Sequence, residues 1–134
     1  MFSIDGVSLL YSGAAVFQAP DDIMRIYFQS KFCAILKYTS QSIAEEKGYF
    51  SILPPQIKNR DDLQLINQNI LCVSNTGKIV WRIGLCDQLT THADPYNYIY
   101  EEKGHWIAVT DRGHECDLDI ETGKVSNTRY FASR

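Results

Sequence analysis

The sequence lacks most of what would announce a chemistry. None of its four cysteines, Cys33, Cys72, Cys86 and Cys116, forms a C-x-x-C pair. A zinc site needs Cys and His clustered at ligand spacing, and His114-x-Cys116 is the one close pair. No metal and no cofactor is therefore expected. The motifs G-x-S-x-G, H-E-x-x-H, G-x-x-x-x-G-K-[ST] and G-x-G-x-x-G are all absent, which removes the local signatures of serine hydrolases, zinc proteases, phosphate loops and dinucleotide binders. No Lys or Arg precedes the apolar stretch 7–17, and Asp5 stands where a secretory leader would be cationic. No uncharged apolar run approaches the ~18 residues of a spanning helix. Bases are outnumbered, 13 against 16 acids, for a net charge of −3. A general nucleic-acid binder needs a cationic surface and is disfavoured. The expectation is a cytoplasmic chain with reduced thiols, in which Cys33, Cys72 and Cys116 act as small buried hydrophobes on strands.

What the 134 residues do contain is strand periodicity. Apolar residues recur mostly at period 2, punctuated by turn residues about every 8–12 positions, the all-β pattern. Candidate strands are residues 9–17, 23–28, 32–38, 70–73, 79–83, 96–100, 105–110, 114–120 and 125–130. Thr76-Gly77-Lys78 and Thr122-Gly123-Lys124 recur 46 residues apart, a spacing like that of propeller blades. Eight or nine strands make about two blades, whereas a closed propeller needs at least about four. The expected fold is therefore one all-β domain over 1–134. It has two antiparallel blade-like sheets of about four strands each, packed together. A short helical turn is read over 42–48, where Ala44, Glu45, Glu46 and Lys47 favour helix. Residues 52–66 and 84–95 read as irregular connections.

The charge is unevenly spread. Residues 94–121 hold eight acids and two bases. His114-Glu115-Cys116-Asp117-Leu118-Asp119-Ile120-Glu121 alternates strictly. A regular strand would send Cys116, Leu118 and Ile120 inward with His114, and Glu115, Asp117, Asp119 and Glu121 outward. Glu101, Glu102 and Asp111 add to the same acidic segment. Tyr96, Tyr98 and Tyr100 would share one face of a strand beside it, offering rigid contact area with polar tips. These ten residues are the candidate partner-binding set. Among the histidines, His92 lies near Asp94 in an irregular stretch, and His114 lies on a strand. Either could serve as a general base in a small hydrolase or nuclease assembled from distant residues.

Several segments carry a family likeness. Leu9-Leu10-Tyr11-x-Gly13, Asn69-Ile70-Leu71-Cys72-Val73, Asn75-Thr76-Gly77-Lys78-Ile79-Val80-Trp81-Arg82-Ile83, Pro95-Tyr96-x-Tyr98-Ile99-Tyr100, Gly113-His114-Glu115-Cys116-Asp117-Leu118-Asp119 and Glu121-Thr122-Gly123-Lys124 resemble short bacterial proteins of propeller-blade-like repeats. Among these are cytosolic immunity proteins of contact-dependent growth inhibition and other polymorphic toxin systems. The resemblance implies a non-catalytic protein that binds one cognate toxin domain, often a nuclease. Carboxylates standing in for phosphates would occupy the toxin's basic cleft. The alternatives are the hydrolase or nuclease using His92 or His114, and a non-catalytic module that completes its sheets as a homodimer.

Overall fold

The computed structural model describes residues 1–50 and 55–130. Its regular structure is mostly β: eleven strands, every pairing between them antiparallel, and two short helices among the described residues. Residues 52–54 of the connection read over 52–66 lie outside the described residues.

Strands β1 (Phe2–Asp5), β2 (Ser8–Tyr11) and β3 (Ala14–Gln18) form a first, three-stranded sheet. Strands β4 (Ile23–Gln29), β5 (Cys33–Tyr38), β6 (Ile70–Ser74) and β7 (Ile79–Arg82) form a second, in the order β4-β5-β6-β7. Strands β8 (Tyr96–Glu102), β9 (His105–Thr110), β10 (His114–Leu118) and β11 (Val125–Tyr130) form a third, also a simple meander. The two four-stranded sheets are the blade-like pair expected from the sequence. The first sheet is an addition. The candidate strand over 9–17, with Gly13 as its break, is β2 and β3: Ser12 and Gly13 both take positive φ and fold the chain into a hairpin there.

The second sheet is the middle layer. On one face Ile35, Ile70, Cys72 and Trp81 pack with Tyr96, Ile99, Ala108, Cys116 and Leu118 of the third sheet. On the other, Ala34, Leu36, Leu71 and Val73 pack with Phe2 and Leu9 of the first sheet. This explains why β5 and β6 read as unbroken apolar runs, Cys-Ala-Ile-Leu and Ile-Leu-Cys-Val. A strand buried on both faces has no solvent side to alternate with.

Between β5 and β6 lie two short helices. α1 (Gln41–Glu46) is the expected helical turn. α2 (Arg60–Asn67) falls where a loop was read. Its start is nonetheless written in the sequence: the Asn59 side chain accepts from the N–H groups of Asp61 and Asp62, and both acids sit in the first turn. A small third cluster, Ala44, Ile57, Ile66 and Ala93, holds the helices to residues 84–95.

Candidate functional site

The acidic set does not form one even row. It divides into three environments, and the division follows from how the third sheet is built. β8 and β9 are joined by Lys103 and Gly104, both at positive φ, a tight two-residue hairpin. This turn leaves Glu101 and Glu102 at one end of the sheet. β10 runs to the same end and enters the turn 119–124, so Asp119 and Glu121 arrive there too. Glu101, Glu102, Asp117, Asp119 and Glu121 line one open depression of about 700 Å³, together with Lys103, His105, Trp106 and Ile120. Glu101, Glu102 and Glu121 are exposed. Their side chains make no ion pair among the described residues. One Asp119 oxygen accepts the Glu121 N–H at 2.9 Å and so shapes the turn.

Glu115 and Asp117 depart from the expectation of an unneutralised outer row. Glu115 is only 6% exposed. Arg129 on β11 donates from Nε and Nη2 to Glu115 Oε1 at 3.1 and 2.9 Å, and from Nη1 to Asp117 Oδ1 at 3.0 Å. The cause is register: Glu115 lies directly opposite Arg129. Glu115 is thus a structural acid, and Asp117 a half-engaged one. The hydrogen bonds from Asn127 and Arg129 hold the Asp117 carboxyl below its ordinary range. A depressed folded-state pKa gives stability that is present above the unfolded value and lost as pH falls through the folded one. Replacing Arg129 by methionine should cost about 2 kcal/mol at pH 7, since its charged hydrogen bonds are partly screened by solvent. The deficit against wild type should narrow below about pH 4, as Asp117 protonates in the unfolded chain and then in the native one. Urea midpoints measured at pH 7 and pH 3 check this.

Asp111 is exposed at the opposite end of the sheet. It lies in a different depression, with Lys37, Pro95 and Asn97, and does not join the acidic end. The three tyrosines do not share a face either. The pairing of β8 with β9 shifts between Tyr96 and Tyr98, a β-bulge at Asn97. Tyr96 therefore turns inward, 1% exposed, with its hydroxyl donating to the Gly84 carbonyl. Tyr98 and Tyr100 remain on the outer face, their rings 5.9 Å apart. Tyr96 is core, not a partner anchor.

A second constellation had only a faint sequence signal, the nearness of His92 to Asp94. The structure gives Asp94 to His114 instead: His114 Nδ1 lies 3.0 Å from Asp94 Oδ2. The carboxylate is 4% exposed. Burial raises its pKa, and the Arg112 N–H, Thr110 and His114 offset part of that rise. His114 also lies 3.9 Å from Asp87 through Nε2. His92, His114 and Arg112 line one cavity of about 460 Å³, with Thr90, Thr91 and Tyr130. Two buried asparagines at the end of α2 and the start of β6 hold this region. Asn67 Oδ1 accepts the Asp94 N–H and its Nδ2 donates to the His92 carbonyl. Cys116, two residues from His114, lies in the core and makes no site with it.

Among the described residues no helix is long and apolar enough to cross a membrane. The model of one protein family, described as Domain of unknown function (DUF7957), matches residues 36–130. That span runs from within β5 to the end of β11. No curated protein and no solved structure matches the chain.

Proposed function

The chain belongs to the DUF7957 family of domains of unknown function, and from that premise we propose that it is a cytoplasmic immunity protein, a non-catalytic inhibitor that binds a cognate toxin domain. The observation that carries this reading is the acidic end of the third sheet. Several carboxylates surround one depression with Trp106 beside them. Gathering like charges costs stability unless something opposes them. A toxin that works on nucleic acid has a cationic cleft, and carboxylates can stand in for phosphates in it. Complementary charge also speeds encounter, to about 10⁸–10⁹ M⁻¹s⁻¹ at low salt, which suits rapid neutralisation. Tyr98 and Tyr100 border the same sheet face and supply contact area.

The test uses the C-terminal domain of the protein encoded in the reading frame immediately upstream, purified with an inactivating substitution. Wild-type protein should bind it. The triple variant Glu101→Lys, Glu102→Lys, Glu121→Lys should bind about 100-fold more weakly, roughly 2.7 kcal/mol, mostly through slower association. These three side chains hold nothing in place, so the variant should keep its far-UV circular dichroism and melting temperature. A folded triple variant with unchanged affinity removes the acidic end as the interface.

A second reading, a small hydrolase or nuclease, has one specific observation behind it. His92 and His114 share a cavity, and a buried carboxylate orients His114, as a general base requires. RNA, DNA and nitrophenyl esters, assayed with wild type and His114→Ala, separate this reading from the first. Turnover that His114→Ala abolishes would replace the inhibitor reading.

A further inference from the structure

Beside the acidic depression lies an apolar slot that the charge reading does not use. Its floor is a single cross-strand row of the second sheet. Phe28 is opposite Ile35, Ile35 opposite Cys72, and Cys72 opposite Trp81. The inner part of this row packs against the third sheet. Phe28, at the outer end of the row, is 42% exposed, and Val80, the bulged residue beside Trp81 that also lines the slot, is 53% exposed. Ile120 and Glu121 close one side, leaving a cavity of about 360 Å³. Ile120 is fixed there because Trp81 Nε1 donates to its carbonyl at 3.0 Å. Ile120 and Glu121 also line the acidic depression. One turn is thus the shared wall of an apolar slot and a ring of carboxylates.

We infer that the two depressions form one bipartite docking surface, and that its occupant is a cationic segment of a partner protein carrying a single large apolar side chain. The apolar side chain enters the slot over Trp81, and the flanking basic groups meet Glu101, Glu102 and Glu121. This inference rests on the inhibitor reading and deepens it by stating what the partner presents. Charge selects the occupant. A second copy of this chain docked about a two-fold axis would bring acidic end to acidic end, and like charges across an interface cost affinity. A membrane surface with anionic headgroups would meet the same repulsion. A neutral apolar ligand would fill the slot but leave the carboxylates without counter-charge. A buried apolar anchor ringed by polar contacts is the usual form of an interface hot spot.

The chain's two tryptophans report separately, since Trp81 floors the slot and Trp106 borders the acidic depression. The probes are three short synthetic peptides: lysines and glycines with a central leucine, the same with a central glycine, and the leucine peptide with serines in place of lysines. Titrations, excited where tyrosine absorbs little, use Trp106→Phe, which leaves Trp81 as the sole tryptophan, and Trp81→Phe, which leaves Trp106. The leucine–lysine peptide should bind about tenfold more tightly than its glycine counterpart, the worth of one buried aliphatic side chain. It should change Trp81 emission saturably, and Val80→Asp should erase the preference without weakening the glycine peptide. Equal affinities with only Trp106 responding would overturn the slot and leave the acidic interface standing. Binding of the serine peptide as tight as the lysine peptide would overturn the cationic occupant. Failure of every lysine peptide at low salt would sink both, and so would light scattering that shows a dimer closing the slot.

Discussion

Replacing Asn69 by alanine should cost about 3–5 kcal/mol of folding stability, one of the two largest losses expected from a single substitution in this chain. Asn69 is 1% exposed. Its Nδ2 donates to the Tyr38 carbonyl at 3.0 Å and the Tyr96 carbonyl at 3.1 Å, and its Oδ1 accepts the Tyr96 N–H at 2.8 Å. Tyr38 ends β5 of the middle sheet, and Tyr96 opens β8 of the third. One amide thus joins the two blade-like sheets through three backbone groups. Alanine leaves all three without their partner in a place where solvent is nearly excluded. Each such group costs about 1–3 kcal/mol, less whatever a trapped water recovers. Urea unfolding at pH 7 measures the loss, and a deficit below about 1 kcal/mol would show that the junction is not held this way. Asn69→Asp is the sharper variant, because it turns a donor to two carbonyls into an acceptor and buries a charge. It should be at least as destabilising at pH 7.

The strands were legible because their two signals agree: apolar periodicity, and Gly-bearing turns between. The middle layer was legible in principle from its unbroken apolar runs, a pattern that needs both faces covered. What stayed hidden depends on events that alternation cannot report. The bulge at Asn97 inserts one residue and sends Tyr96 to the opposite face from Tyr98, so a row of three tyrosines in the sequence is a pair in space. Glu115 was placed on the outer face, but its burial depends on Arg129, which lies 14 positions away and reaches it only through hairpin register. Asp94 and His114 are 20 positions apart on a loop and a strand. No spacing rule joins them. The acidic end, by contrast, was half visible: Glu101, Glu102, Asp119 and Glu121 were named correctly as exposed acids, and the two turns that gather them are what the sequence only hinted at.

The recurrence of Thr-Gly-Lys 46 residues apart has a physical reason that predicts the second large effect. Gly77 and Gly123 both take positive φ, +86° and +77°, and each lies under the preceding sheet. A Cβ on Gly77 would overlap the Val16 carbonyl oxygen of β3, and a Cβ on Gly123 would sit 2.6 Å from Cε3 of Trp81 on β7. The repeated turn is therefore one contact between each four-stranded sheet and the one before it, and only glycine lets the chains approach so closely there. Gly77→Ala must displace backbone, so it should cost about 3 kcal/mol or more. Gly123→Ala meets a side chain that can shift, though Trp81 is tied to Ile120, and should cost about 2–3 kcal/mol. Gly104→Ala separates the causes. Its φ is also positive, +81°, yet nothing lies within 4 Å of a Cβ there, so it should lose only the conformational term of about 1 kcal/mol. The order Gly77→Ala, then Gly123→Ala, then Gly104→Ala in thermal or urea unfolding is the expected result. Equal losses at all three positions would mean that left-handed backbone alone, and not sheet-on-turn contact, explains why the glycine recurs. Because the Gly123 turn also carries Ile120 and Glu121, its substitution should disturb the slot and the acidic end together, whereas Gly104→Ala should leave the Trp81 emission of the folded protein unchanged.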